Sequence, residues 1–152
     1  MKRTAIIFFI FLSSSCFGQE VREVCFKETC VQAEIADTPA QRQKGLMSRE
    51  ALLEAQGMLF IFEEEARHGF KMENVNFPLD IIWLDKDGKV VDVKPGLQPC
   101  QEVREPFKDG SIEKSCASFL PADKALYVLE VNSGFAGKHK IKIGDTMSIN
   151  GY

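Results

Sequence analysis

The chain changes its hydrophobic rhythm several times, and those changes outline an architecture. Between Cys30 and Asp37, Val31, Ala33 and Ile35 alternate with Gln32 and Glu34, the period-two pattern of a half-buried strand. Together with the residues before them, positions 21–37 predict a hairpin or a bent strand pair. Thr38-Pro39-Ala40-Gln41 then breaks the alternation: Thr38 can cap a helix, Pro39 suits its first position, and Gln41 completes a capping box. This helix is expected to run to about Lys44 or Met47, with Ser48 capping a second short turn through Leu53 and Gly57 ending it. Met58 to Phe62 is a wholly apolar run of strand length, followed by an acidic turn at Glu63-Glu64-Glu65, and Gly69 to Asn74 reads as a weak strand. Pro78 opens a stronger strand. From Leu79 to Leu84 it is apolar on both faces apart from Asp80, the pattern of a central strand covered on both sides. Asp85-Lys86-Asp87-Gly88 makes a hairpin turn and Lys89 to Lys94 returns. Pro95 to Pro121 has no regular rhythm. Ala125 to Asn132 is again apolar on both faces with one acid, Glu130; Ser133-Gly134 turns, Phe135 to Lys140 is irregular, and Ile141 to Asn150 supplies a last strand interrupted at Gly144-Asp145. The pattern predicts one mainly β domain, a barrel or jelly-roll-like sandwich with one or two short helices, without repeats or linkers.

The first residues follow a different logic. Met1-Lys2-Arg3 is a basic head, Thr4 to Leu12 a short apolar run, and Cys16-Phe17-Gly18 places small residues at the −3 and −1 positions of a cleavage site. Residues 1–18 therefore read as a secretory signal peptide, cut near Gly18, with 19–152 as the mature domain in the periplasm or outside the cell. Anchoring as a lipoprotein through Cys16 is the weaker alternative, because Ser13 stands where a lipobox carries Leu. Removing Lys2 and Arg3 leaves 17 basic against 22 acidic side chains, a net charge of −5. That balance argues against nucleic acid as a partner. No other segment is long and apolar enough to span a membrane, and a monomer is the expectation.

Export changes the meaning of the cysteines. With Cys16 set aside, Cys25, Cys30, Cys100 and Cys116 remain, and four cysteines allow three pairings. Sequence separation favours the local one, Cys25–Cys30 across a hairpin and Cys100–Cys116 around a polar loop of 15 residues. A four-thiolate zinc site is disfavoured in an oxidising compartment without paired C-x-x-C knuckles. The Asp85–Gly88 turn resembles part of a calcium loop but lacks its other ligands, so neither a metal nor a cofactor is expected.

The familiar catalytic constellations are missing: no nucleophile elbow, no phosphate-cradling glycine loop, no H-E-x-x-H. His68 and His139 sit beside basic residues in expected turns and read as solvated. Two acids stand out, because Asp80 and Glu130 each lie on an apolar strand, where an ionised carboxylate is costly unless something neutralises it. Arg49 is the natural partner candidate, since its fork can pair a carboxylate at two points. A structural carboxylate–arginine pair is the simpler outcome. The alternative is a hydrolase in which Asp80 and Glu130 share a cleft as general acid and base. Met47, Met58 and Met72 raise a Cu(I) thioether site, but methionine is also ordinary core filler and no histidine accompanies them.

Taken in order, GLMSR at 45–49, GMLFIF at 57–62, FKMEN at 70–74, FPLDIIWLD at 77–85, YVLEVNSG at 127–134 and IGD at 143–145 resemble the domain of unknown function 192 (DUF192) family. The resemblance covers roughly residues 31–149. It implies a compact β-barrel or sandwich with the GLM segment on a helix against one end, and no established activity. It also departs from the family at a W-M-K-N-T run, where Lys71, Glu73 and Val75 stand in place of Trp, Lys and Thr, weakening a sugar-stacking expectation. The expected site is the ground between GLMSR and FKMEN–FPLD, with Met47, Arg49, Met72, Asn74, Asp80 and Glu130 binding a small molecule; Asn74 either orients the ligand or ties down its loop. The other alternative is an envelope interaction protein with an exposed apolar patch and no pocket.

Overall fold

The computed structural model describes residues 19–100 and 116–150. The signal peptide expected at 1–18 lies outside the described residues. Among the described residues, nine strands and two short helices follow one another as β1 (Val21–Phe26), β2 (Thr29–Ala36), α1 (Pro39–Lys44), β3 (Gln56–Ala66), β4 (Phe70–Lys71), β5 (Leu79–Leu84), β6 (Val90–Leu97), β7 (Ser118–Phe119), β8 (Ala125–Asn132), α2 (Phe135–Lys138) and β9 (Met147–Asn150). Seven strands form one sheet in the order β6-β5-β8-β3-β2-β1-β9, while β4 and β7 pair separately. All neighbours in the large sheet are antiparallel except β2 and β3, which run parallel. Parallel neighbours need a long crossover, and α1 with the turns after it supplies it.

The sheet curls into a half-barrel. Its first and last strands approach at one end, where Val90 donates to the Asp145 carbonyl at 2.8 Å, Gly144 to that of Val90 at 2.9 Å and Met147 to that of Gly88 at 2.8 Å. Side chains on the inner face, including Val24, Val31, Ile35, Leu59, Ile82, Leu84, Leu129 and Val131, form one core with Phe135 and Ile141. On the outer face Met58, Phe60, Leu79, Ile81, Trp83 and Val128 pack with Leu46, Met72 and Val75 from the connections that cover it. All six residues of β5 are buried, as expected for a strand covered on both faces.

Most elements fall where the hydrophobic rhythm puts them, and the capping box at Thr38 forms as expected, with Gln41 returning a bond to the Thr38 N–H at 2.9 Å. Four differences have physical causes. Helix α1 stops at Lys44 because Gly45 takes φ +45°, outside the helical region, and residues 45–53 continue without a second helical segment. Strand β3 runs through Glu63–Glu65, because the acids stand half-buried or exposed at its far end and Glu65 accepts the Lys86 N–H at 2.9 Å. Strand β6 continues through Pro95-Gly96: it lies at the sheet edge, where a missing N–H is harmless, and its register against β5 shifts there. Finally, Phe135–Lys138 is helical instead of irregular, for a reason supplied by Asp80.

Both local disulfides are present, Cys25–Cys30 at 2.07 Å and Cys100–Cys116 at 2.08 Å. The first joins residues directly opposed in the β1–β2 register, although the connecting turn has two residues, not four. Among the described residues no helix is long and apolar enough to cross a membrane.

Strands β3 and β8 approach closely at Gly57. A Cβ at Gly57 would sit 2.9 Å from the Glu130 carbonyl oxygen and 3.1 Å from Val131 Cγ1, and backbone cannot yield as a side chain can. Gly57→Ala should therefore destabilise the fold by about 1–3 kcal/mol in urea denaturation. Wild-type stability in this variant would show that β3 and β8 do not approach so closely.

Candidate functional site

Asp80 and Glu130 lie on adjacent strands, and strand geometry decides how they relate. Side chains alternate between faces, and directly opposed residues share a face. Asp80 stands opposite Val131, and Ile81 opposite Glu130. The two carboxyls consequently leave the sheet on opposite sides. They cannot share a cleft, and the paired-carboxylate hydrolase is overturned by this register.

Asp80 faces the inner core and is fully buried. Its Oδ1 accepts the N–H of Gly96 at 2.8 Å and of Gly134 at 3.1 Å, and its Oδ2 accepts that of Ala136 at 2.8 Å. The bulge at Pro95-Gly96, with Gly96 at φ +66°, aims one of these donors. The other two open α2, whose N-cap Gly134 has no side chain to offer. Asp80 supplies that cap from a different strand, which is why a segment with no helical rhythm turns helical. A carboxylate held by three N–H groups needs no cation.

Arg49, expected as the partner of Asp80, is engaged elsewhere. Its guanidinium meets Glu34 of β2 at two points, Nη1–Oε1 at 2.5 Å and Nη2–Oε2 at 2.6 Å. Hydrogen bonding to Arg49 holds the Glu34 carboxyl below its ordinary range, and the same bond raises the guanidinium. This pair fastens the segment after α1 to the sheet, and Asn76 adds a bond to the Arg49 carbonyl at 2.8 Å. Asn74 is exposed; its carbonyl accepts the Ser48 N–H at 2.8 Å, with both residues in the left-handed region. Of its two expected roles, this backbone bond fits tying down the loop.

Glu130 differs from all of these. It points to the outer face between Met58 of β3 and Ile81 of β5, both buried. Only 4% of its surface is exposed. No described residue donates a hydrogen bond to its carboxyl, and desolvation pushes the group up to about 8. Yet no fully enclosed side-chain oxygen among the described residues lacks a partner, so the Glu130 oxygens must reach open space. That space is a cavity of about 290 Å³.

The cavity lies between the turn after α1 and β4. Gly45, Leu46 and Met47 form one wall, Phe70, Lys71 and Val75 another, and Phe60 and Phe62 of β3 stand beside Glu130. Phe60 meets Phe70 edge-on at 4.9 Å between ring centroids, and Phe70 meets the buried Trp83 edge-on at 6.0 Å. His68, expected to be solvated, stacks on Phe62 at 3.5 Å, with its Nε2 3.0 Å from the Glu64 carbonyl oxygen. Arg42 also lies over the Phe62 ring, 5.3 Å from its centroid, and donates to the Ile61 carbonyl at 2.8 Å. Exposed Gln43, Lys44, Lys71 and Glu73 mark the mouth.

Of the expected site residues, then, Met47 and Glu130 line the cavity, whereas Arg49, Met72, Asn74 and Asp80 do not. Met58 and Met72 are packed together in the outer core. The aromatic lining escaped sequence reasoning. Its one available signal was Phe60 and Phe62, alternating in phase with Met58 along β3.

The fold and cavity define a class: a curled β half-barrel whose outer face is covered by a crossover and carries a pocket floored by one acid. The DUF192 family, described as an uncharacterized one, matches residues 22–149, and the chain belongs to it. A Sinorhizobium meliloti 1021 protein, described provisionally as a transcription regulator, has the same fold with a TM-score of 0.73 and 25% identity, over 88% of this chain and 97% of its own. A protein of unknown function from Novosphingobium aromaticivorans DSM 12444 is similar with a TM-score of 0.73 and 28% identity, over 88% of this chain and 89% of its own. No curated protein matches the chain.

Two variants separate the roles of the acids. Asp80→Asn turns one acceptor into a donor facing a backbone N–H, and should cost about 2–4 kcal/mol in chemical denaturation; an unchanged midpoint would mean the three bonds are dispensable. Glu130 behaves oppositely. Its folded value of about 8 lies above its ordinary 4.5, so the folded chain binds the extra proton between them. Stability from this group is complete below pH 4.5 and is lost as pH rises through 8, by up to about 1.4 kcal/mol per unit. Glu130→Gln should remove that slope, with its Tm advantage over wild type growing from pH 5 to 8; parallel Tm curves would refute it.

Proposed function

We propose that this domain is a small-molecule-binding module of an oxidising, extracytoplasmic compartment, and that the cavity floored by Glu130 is its site. The carrying observation is the Glu130 carboxyl itself: buried, without a hydrogen-bond partner, and open only to the cavity. Leaving such a group unpaired costs stability, and a bound donor recovers the loss. The volume of about 290 Å³ sits at the lower edge of small-ligand pockets. Phenylalanine and aliphatic side chains line its interior, with Glu130 on the floor and charged groups at the mouth, and an apolar wall with placed polar groups suits a small ligand.

Both disulfides fit an oxidising location, with delivery through the signal peptide at 1–18 and the mature chain acting as a monomer in the periplasm or medium. The reading as an envelope interaction protein without a pocket is less favoured, because a formed cavity is available. The acidic balance of the chain also speaks against carrying over the regulator description of the Sinorhizobium protein.

A thermal-shift screen of the mature chain against sugars, amino acids and Cu, Zn and Ca ions tests this reading. At least one small organic compound should raise Tm in a dose-dependent way. Met47→Trp, which places an indole in the cavity, should fold and lose the response. If no organic compound stabilises the wild type, or if Met47→Trp responds equally, the cavity is not the site.

A further inference from the structure

The layout of charge along the cavity says what kind of molecule suits it. Its floor is a single acid and its mouth carries Lys44 and Lys71. Between them lie Phe60, Phe70, Leu46, Met47 and Val75, which offer only apolar surface. Among the described residues neither lysine makes a close ion pair, although Lys44 is near enough to Glu34 to help lower that carboxyl. Arg42 adds positive charge at one side, although it is already bonded to backbone carbonyls and lies 3.7 Å from the exposed Glu63. Glu73 at the mouth offsets one of these cations, and His68 is committed to its stack on Phe62.

Resting on the reading above, we propose that the site takes ω-amino carboxylates: the primary ammonium donates to Glu130, the methylene chain lies against the phenylalanines, and the carboxylate remains at the mouth near Lys44 and Lys71. A primary ammonium supplies N–H donors to the one group on the floor that lacks them. Aromatic rings beside the floor add attraction for the cation. An α-amino acid carries both charges at one end and cannot serve floor and mouth together. An alkylamine leaves the lysines unanswered, and a fatty acid leaves Glu130 so.

Binding an ammonium favours the carboxylate form of Glu130. The neutral acid therefore gives up its proton, which passes to the buffer, and an ammonium–carboxylate pair remains. Because the empty site holds that proton up to about pH 8, binding at pH 7 should release about 0.9 proton per ligand. Affinity should rise about tenfold from pH 6 to 7 and level off above 8, while the amine stays charged throughout.

Isothermal titration in phosphate and in Tris, whose ionisation heats differ, reads both quantities. The probes are γ-aminobutyrate, δ-aminovalerate and ε-aminocaproate, with pentylamine and valerate as singly charged controls. We expect at least one amino carboxylate to bind at least tenfold more tightly than either control, with proton release at pH 7. Glu130→Gln should abolish the release and the pH slope; His68→Gln should keep both. Valerate binding as well as δ-aminovalerate, or binding without proton release, overturns the assignment. If no amino carboxylate binds while another compound from the thermal screen does, the ligand class is wrong and the cavity reading survives. Silence from every compound removes both.

Discussion

Three backbone N–H groups, one from β6 and two from the start of α2, converge on the Asp80 carboxylate, and the inner side of the molecule depends on that convergence. It fixes the bulge at Pro95-Gly96 on the edge strand and the start of α2, and it ties both to the centre of the sheet. Ala136 is buried and the Asp80 carboxyl wholly so, and a buried polar group without a partner costs more than a made bond contributes. The acid is therefore structural in a strict sense: its charge is satisfied by geometry. Strand alternation then sends Glu130, on the neighbouring strand, to the opposite side, where no comparable set of donors waits. Two acids in similar apolar runs thus have different lives for a reason of register alone.

Elements with strong periodicity were legible: the alternation of β2, the capping box of α1, the doubly buried β5 and β8, and the turn at Asp85–Gly88 all formed as read. Local disulfide pairing was legible for a related reason, since hairpin geometry brings near neighbours together. Illegible features depended on distant partners. Glu63–Glu65 looks like a turn until Lys86 and the sheet neighbours are present; Pro95 looks like a strand end until β6 proves to be an edge; Phe135–Lys138 has no cap until Asp80 arrives from 54 residues away. The partner of Arg49 was misjudged because a cation was sought for an acid that needed only amides.

The cavity was half legible. Its location between the GLM and FKM segments followed from the clustering of polar residues on apolar elements, and Glu130 was among the residues named. Its lining was not, because Phe60, Phe62, His68 and Phe70 come together only through the β3 to β4 connection, and a stack such as Arg42–Phe62–His68 has no sequence period. The loss of Trp at position 71 suggested a missing aromatic wall. In the folded chain the rings come instead from β3 and from Phe70, and Lys71 contributes charge at the mouth.

The bridge between Cys100 and Cys116 reaches further than its place in the loop implies. Cys100 donates its N–H to the Met72 carbonyl at 3.1 Å, just beyond β4, and Cys116 precedes β7, the strand that pairs with β4. The cross-link thus grips one wall of the cavity from both directions. A two-residue strand pair has little stability of its own, so the wall owes its order to a covalent bond that forms only where oxidants are available. Under reducing conditions the chain would keep the acid on the cavity floor but carry an unfastened wall above it. The shape of this cavity is in this way coupled to the redox state of its surroundings.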